Sequence, residues 1–278
     1  MTADAAPEST LPYPPIHADK QFVVLSDWDG TITTRDSNDY LTDNLGMGID
    51  KRRELNDDIV SGKSTFREDF RRMLDSVAAN GHKFEECKKV LRENIVLDPG
   101  FKAFYKYCKA HDIPVIIVSS GMEPIIRAVL SNLLADEAAG IEIISNAADV
   151  KADDSWSIKY RHPSSHFGHD KSQAILPYNR LPNPPTLFFF GDGVSGASPP
   201  IHTSIAADVI TDMSAARHAD VLFVKTKDGP DNDLHKYCQR EGIPHILFRD
   251  FSQAVPVVQD VVEGRKTKEE VLAAGKAW

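Results

Sequence analysis

Residues 21–31 read QFVVLSDWDGT: a short apolar run that stops abruptly at an Asp-Trp-Asp-Gly-Thr turn. A run this uniformly apolar, ended by turn residues, predicts a buried strand leading into a loop. The pattern repeats downstream. IPVIIVSSG (113–121), TLFFFGDG (186–193), DVLFVK (220–225) and GIPHILFRDF (242–251) read as further buried strands. Helical stretches separate them: PIIRAVLSNLL (124–134), a helix from Lys171 to Leu176, one around 212–218, and VPVVQDVVEG (255–264). IEIISNA (141–147) and SWSIKYR (155–161) flank a tight KADD turn and predict a hairpin. Alternating helices and fully apolar strands argue for an α/β fold, a Rossmann-like parallel sheet covered on both faces. In such sheets ligands bind beyond the carboxyl ends of the strands. Three of the predicted strands end in polar, glycine-bearing loops there: DWDGT, SSG and GDG.

One stretch interrupts the alternation. From Asp36 to about Asn94 the pattern is helical throughout, with no strand signal. Phe66, Phe70, Met73, Leu74 and Val77 fall at i, i+4, i+7, i+8 and i+11, one face of a helix. This predicts a small helical domain, 36–95, inserted into a core formed by 20–35 and 96–278. Asp98-Pro99 reads as the N-cap and first position of the helix that re-enters the core. Residues 1–19, rich in Pro, Ala and Ser and without periodicity, read as a disordered tail.

The chain has 278 residues, 41% hydrophobic and 26% charged, an ordinary globular balance. Lys and Arg number 32 against 41 Asp and Glu, a net charge of −9. Bulk charge therefore disfavours nucleic acid or an anionic membrane as partner. No apolar run reaches a membrane-spanning length, and the start lacks a basic-then-apolar signal pattern. Cys87, Cys108 and Cys238 are too few and too scattered for a disulfide framework or a cysteine zinc site. The expectation is a soluble cytoplasmic protein; the sequence gives no indication of oligomeric state.

The chemistry gathers at the strand ends. Asp27 and Asp29 lie two apart, so on an extended backbone both carboxylates address one side. One can attack as a nucleophile while the other exchanges a proton with the leaving group and then with water. Taken alone, the pair also fits a turn with two solvated aspartates. Ser119, with the N–H groups of Ser120 and Gly121 beside it, has the makings of an anion site, or of a helix cap. Lys171 follows a polar loop, and Asp192 adds a carboxylate between glycines. Carboxylates meeting phosphate oxygens make a Mg²⁺ site, because that ion takes few protein carboxylates and completes its shell with water and substrate.

In this order, DWDGT, IIVSSG, Lys171 and FFGDG resemble the four motifs of the haloacid dehalogenase superfamily of phosphohydrolases, over almost everything after residue 20. The helical insert is similar to the C1-type cap of the phosphoserine-phosphatase subgroup. Through DWDGTITTRDSNDYLTDNLG and HDKSQAI the chain looks most like fungal members acting on sugar or polyol phosphates. The resemblance implies that Asp27 becomes an aspartyl phosphate and that Asp29 serves as acid, then base. It implies Mg²⁺ held by Asp27, the Asp29 backbone carbonyl and Asp192. Ser119, Ser120 and Lys171 would hold the phosphoryl oxygens.

The expected function is thus a Mg²⁺-dependent phosphomonoesterase of a small phosphorylated metabolite. Phosphoserine is the alternative substrate. A catalytically impaired phosphate-binding or regulatory protein is the rival, and transfer of the phosphoryl group to another alcohol is a third reading. Asp36 matches the place from which phosphoserine phosphatases contact the substrate amine with a glutamate, but DSND also caps a helix. Arg67 and Arg71 fit either a substrate contact from the cap or a solvated helix face. His162, His166 and His169 have metal-like spacing, yet Pro163 and Gly168 break any helix that would align them. A loop bordering the site is the plainer reading.

The fourth motif departs from the family pattern. A second Asp should closely follow GDG and orient the lysine; here GDGVS continues into GASPPIHTSIAADVIT before DMSAARHADVLFVK. Deleting residues 196–211 restores GDGVSDMSAARHADVLFVK and makes Asp212 the lysine-orienting acid. Sixteen residues correspond to 48 nucleotides. With codons 196, 211 and 212 read as GGT, ACA and GAT, that insert runs from GT to AG. The segment therefore reads as a retained intron, with a genuine surface loop as the alternative, and its presence is expected to displace Asp212 and weaken activity. Transcript sequencing checks this: mature messages are expected to lack the 48 nucleotides, and messages that all contain them would end the idea.

Overall fold

The computed structural model describes residues 11, 13–193, 211–227 and 232–275. β1 (Phe22–Ser26) lies at the centre of a seven-stranded sheet in which Val23, Val24 and Leu25 have no exposed surface. It pairs in parallel with β2 (Val115–Met122) on one side and β5 (Thr186–Gly191) on the other, with Leu25 opposite both Ile116 and Phe189. Beyond β2 lie β3 (Glu142–Val150) and β4 (Trp156–Lys159); beyond β5 lie β6 (Val221–Lys225) and β7 (Ile246–Phe248). All neighbours are parallel except β3 and β4, the predicted hairpin.

Successive residues of a strand face opposite sides, so a sheet covered on both faces needs apolar residues at every position. On one face Val24, Ile117, Phe188, Phe190 and Phe223 pack with α5 (Phe101–Ala110), α6 (Glu123–Leu134) and α10 (Phe251–Val262). On the other, Val23, Leu25, Ile116 and Phe189 meet α7 (Ser172–Asn179), α8 (Thr211–Ala216) and α9 (Asp233–Glu241). The Phe190 ring stacks on Phe223 and packs against Phe104, Phe248 and Phe251, which ties three strands to two helices. α11 (Lys268–Gly275) closes the chain beside β7 through buried Val271. None of the described helices is long and apolar enough to cross a membrane.

Between β1 and α5 stand four helices: α1 (Ser37–Leu45), α2 (Ile49–Val60), α3 (Phe66–Ala79) and α4 (Phe84–Asn94). Thr65 and Glu68 form a capping box at the start of α3, and Phe70, Met73, Leu74 and Val77 are its buried stripe. The two connections to the core run side by side. Thr34 N–H donates to Val96 O, and Asp98 N–H to Ile32 O.

Two expectations change here. Asp98 does not cap α5, which begins at Phe101 behind Gly100. The Asp98 carboxylate instead accepts the N–H groups of Gly100 (2.9 Å) and Phe251 (3.0 Å) and pairs with buried Lys225 (2.6 Å). A tertiary demand on that carboxylate thus overrides the local capping pattern. The tail of 1–19 is partly held as well. Tyr178 OH donates to Ile16 O (2.7 Å), Pro15 is buried, and Leu11 and Ile16 pack on the second core face. Residues 1–10 and 12 lie outside the described residues, as does nearly all of the suspect 196–211 segment.

Candidate active site

Because β1 pairs with both β2 and β5, the loops after all three strands converge. The chain leaves β1 at Asp27, whose N–H still donates to Phe190 O (2.8 Å), and turns tightly through Trp28–Ile32. Gly30 makes this turn possible. Its φ is +77°, and a Cβ there would lie 2.1 Å from the Asp192 carboxylate.

The Lys171 ammonium sits between two carboxylates, 2.5 Å from Asp27 Oδ1 and 2.6 Å from Asp212 Oδ1. Asp212 Oδ2 accepts the Gly193 N–H (3.0 Å). All three charged groups are buried. Burial works against the ammonium, but Asp212 and Asp27 outweigh it and hold the Lys171 pKa above its ordinary value. The expected displacement of Asp212 is therefore absent. α8 starts at Thr211 and delivers the carboxylate to the lysine.

Asp27, Asp192 and Asp212 each offer a carboxylate oxygen within 4.8 Å of the others. Burial raises the Asp27 pKa well above the carboxylate range despite Lys171, and raises that of Asp192 to about 6 despite Lys227, 3.3 Å away. Asp192 Oδ1 is buried and has no partner. A hard divalent cation suits this donor set: all-oxygen, strongly anionic and short of positive charge. Asp212 is engaged by Lys171 and by the Gly193 N–H, whereas Asp27 Oδ2 meets only the Thr31 hydroxyl at 3.3 Å and Asp192 Oδ1 has no partner, so the Asp27 and Asp192 side chains are the better placed cation ligands.

Asp29 is placed differently. Ser37 N–H (2.7 Å) and Ser37 Oγ (2.6 Å) donate to its Oδ1, and Asn38 Nδ2 (2.8 Å) donates to Oδ2. Burial, then the nearby Asp36 charge, raise its pKa well above the usual range, outweighing the Ser37 hydrogen bonds. Burial thus favours the protonated form of this carboxyl, while its three donors favour the carboxylate. Ser37 and Asn38 escaped the sequence reading because nothing in SNDY distinguishes an acid-holding amide from a helix start.

Ser119 and Ser120 border the same cleft as Asp27, Asp29 and Lys171. α6 begins only at Glu123, so the predicted helix-start anion site lies instead on the last residues of β2. Gly121 N–H donates to Ser119 Oγ (2.9 Å), while Ser120 Oγ is buried without a partner. Behind them, His169 Nδ1 donates to Ser119 O (2.7 Å) and fixes that backbone. His162 Nδ1 accepts Asp170 N–H (3.1 Å). Among the described residues no histidine joins a cluster of three or more groups placed to hold a metal.

Asp36 caps α1, its Oδ1 accepting Asn38 N–H (2.7 Å) and Asp39 N–H (2.8 Å), and it also lines the cleft. Arg67 does not line it. Its guanidinium donates to Pro163 O and its N–H to His166 O (2.9 Å), so it fastens the insert to the loop before Lys171. Arg71 lies over the Tyr160 ring, 4.9 Å from the centroid.

The family profile described as haloacid dehalogenase-like hydrolase matches residues 24–195. Pdp3-interacting factor 1 of Schizosaccharomyces pombe is 47% identical over 236 residues, 84% of this chain and 93% of that protein. The polyol phosphate phosphatase PYP1 of Saccharomyces cerevisiae is 38% identical over 259 residues, 90% of this chain and 98% of that one. Among solved structures, a phospho-aspartyl intermediate analogue of phosphoserine phosphatase is similar in fold, with TM-score 0.57 and 15% identity. It covers 86% of this chain and 99% of its own.

Burial pushes the His169 imidazole down to about 3, so the folded protein keeps it neutral while the unfolded chain takes up a proton below about 6.5. The unfolded state then binds more protons, and stability falls as pH drops from about 6.5 towards 3. Urea unfolding from pH 7.5 to 4.5 is expected to show wild type losing about 1.4 kcal/mol more per pH unit than His169→Asn below that point. Parallel profiles would contradict the assignment.

Proposed function

The chain belongs to the haloacid dehalogenase-like hydrolases, and we propose that it is a Mg²⁺-dependent phosphomonoesterase of small hydroxylated metabolites, working through a phosphorylated Asp27. The observation that carries this reading is the buried Asp27–Lys171–Asp212 triad beside an unpartnered Asp192 oxygen. The 38% identity to a polyol phosphate phosphatase supports the substrate class.

The residues divide the work. Asp27 attacks phosphorus with one carboxylate oxygen, and the bond from phosphorus to the ester oxygen breaks. Asp29, whose protonated form burial and the Asp36 charge favour, gives its proton to the departing alcohol. Then, as a carboxylate, it takes one from the water that hydrolyses the acyl phosphate. Lys171 stays charged throughout because Asp212 holds it, and with the Ser120 hydroxyl it faces the negative charge of the phosphoryl oxygens. Asp27 and Asp192 would hold Mg²⁺, which when bound screens the phosphate charge from the anionic nucleophile. The four-helix insert roofs the cleft and limits both water and substrate size.

The relative at 47% identity is named for an interaction, and a phosphate-binding role without turnover is the second reading. Hydrolysis of a chromogenic aryl phosphate separates the two. Wild type with Mg²⁺ is expected to turn over, EDTA to abolish activity reversibly, and Asp27→Asn to lower kcat by about 1000-fold or more. Full activity in Asp27→Asn would refute the nucleophile. No turnover by wild type with Mg²⁺ would favour the binding role.

A further inference from the structure

The cleft between sheet and insert is lined from both sides. Near the strand ends lie Asp27, Asp29, Lys171, Ser119 and Ser120. At the far end, formed by the insert, Asp36 and Asp39 on or just before α1 and Asn56 on α2 line the wall. The helix cap uses only the Oδ1 oxygen of Asp36. Asp39 pairs with Arg52 (2.9 Å), but the same guanidinium also grips Asp43 through two hydrogen bonds, at 2.7 and 3.0 Å. One cation thus answers two carboxylates while Asp36 adds a third, and the far end keeps an excess of negative charge. Burial and the Asp36 charge together hold the Asp39 pKa well above its usual value, the signature of a crowded acidic pole. Phe66, Phe70 and Met73 of α3 supply an apolar side to the same space.

Carboxylates accept hydrogen bonds and donate none. A ligand portion suited to this end must bring its own donors, carry no anion, and lay a carbon chain along the phenylalanines. We propose that the far end is a charge filter: the enzyme takes phosphate monoesters whose alcohol presents hydroxyl groups and rejects those bearing a carboxylate or second phosphate. The proposal rests on the phosphatase reading above and adds the selection rule and the residues that impose it.

Two substrates of equal chain length test it. sn-Glycerol 3-phosphate ends in a hydroxymethyl group where 3-phosphoglycerate ends in a carboxylate. Wild type is expected to favour the first by at least about 100-fold in kcat/KM, and added salt to narrow that ratio through screening. Asp36→Asn keeps the helix cap, since Asn caps as well as Asp. It is expected to raise kcat/KM for 3-phosphoglycerate about tenfold while that for glycerol phosphate declines. Asp39→Asn, which keeps an oxygen for Arg52, should shift the ratio in the same direction. Aryl phosphate hydrolysis, measured in parallel, reports the phosphatase chemistry by itself. If it persists while the ratio stays fixed in both variants, the filter is overturned and the phosphatase reading stands. Absence of aryl phosphatase activity in wild type would remove both readings.

Discussion

A single ammonium group makes the centre of this molecule possible. Asp27, Asp192 and Asp212 crowd their oxygens within 4.8 Å in a buried space, where mutual repulsion and lost hydration both favour neutral carboxyls. Lys171 bridges two of them and lets the end of β1 and the starts of α7 and α8 share one point. Removing one partner of such a buried pair typically costs about 3–5 kcal/mol, because the other charge is left stranded. The bridge leaves Asp192 underserved: Oδ1 has no partner, and Lys227 is half-exposed at 3.3 Å. A site so short of positive charge suits a hard cation, as the proposed function requires.

The backbone around that point is held from beneath. Lys225, at the end of β6, donates to Thr31 O (2.7 Å) in the first loop and pairs with Asp98, whose other oxygen anchors Gly100 and the start of α10. Asn232 then joins Lys225 O to Asp192 O. The turn carrying the two aspartates is therefore fixed at Gly30, at Thr31 and through Asp27 N–H. The insert is moored at its linkers, and again where Arg67 and the Tyr160 hydroxyl (2.5 Å from Arg67 O) join α3 to the loop ahead of Lys171. Substrate-facing and lysine-bearing segments thereby share a joint.

The strands are legible in the sequence because they are buried on both faces. QFVVLS, IPVIIVSS and TLFFFG have no alternative use in water, and the polar loops that end them had to meet once the strands paired. Asp27, Ser119, Lys171 and Asp192 were legible for that reason. What stayed hidden depends on contacts between distant segments. Asp98 looks like a helix cap until Lys225 is brought beside it, 127 residues away. Asp29 looks like a second free carboxylate until Ser37 and Asn38 close on it. Arg67 looks like a cleft residue until the 163–166 loop takes its donors. α9 and α11 carry little signal in the sequence because both are short: polar and charged residues outnumber apolar ones in DLHKYCQRE, and KEEVLAAG has only Val271 and Leu272 as large apolar residues. Residues 13–19 read as tail in the sequence because their few apolar side chains show no period, though Ile16 and Pro15 find a place against α7.

The account stands on covalent capture of phosphate by one carboxylate. Rapid quenching during steady turnover of an aryl phosphate, borohydride reduction of the acyl phosphate and peptide mass mapping test this directly. Reduction is predicted to convert residue 27, and no other acidic position, to homoserine. A tag on a different carboxyl, or none while hydrolysis proceeds, would contradict it.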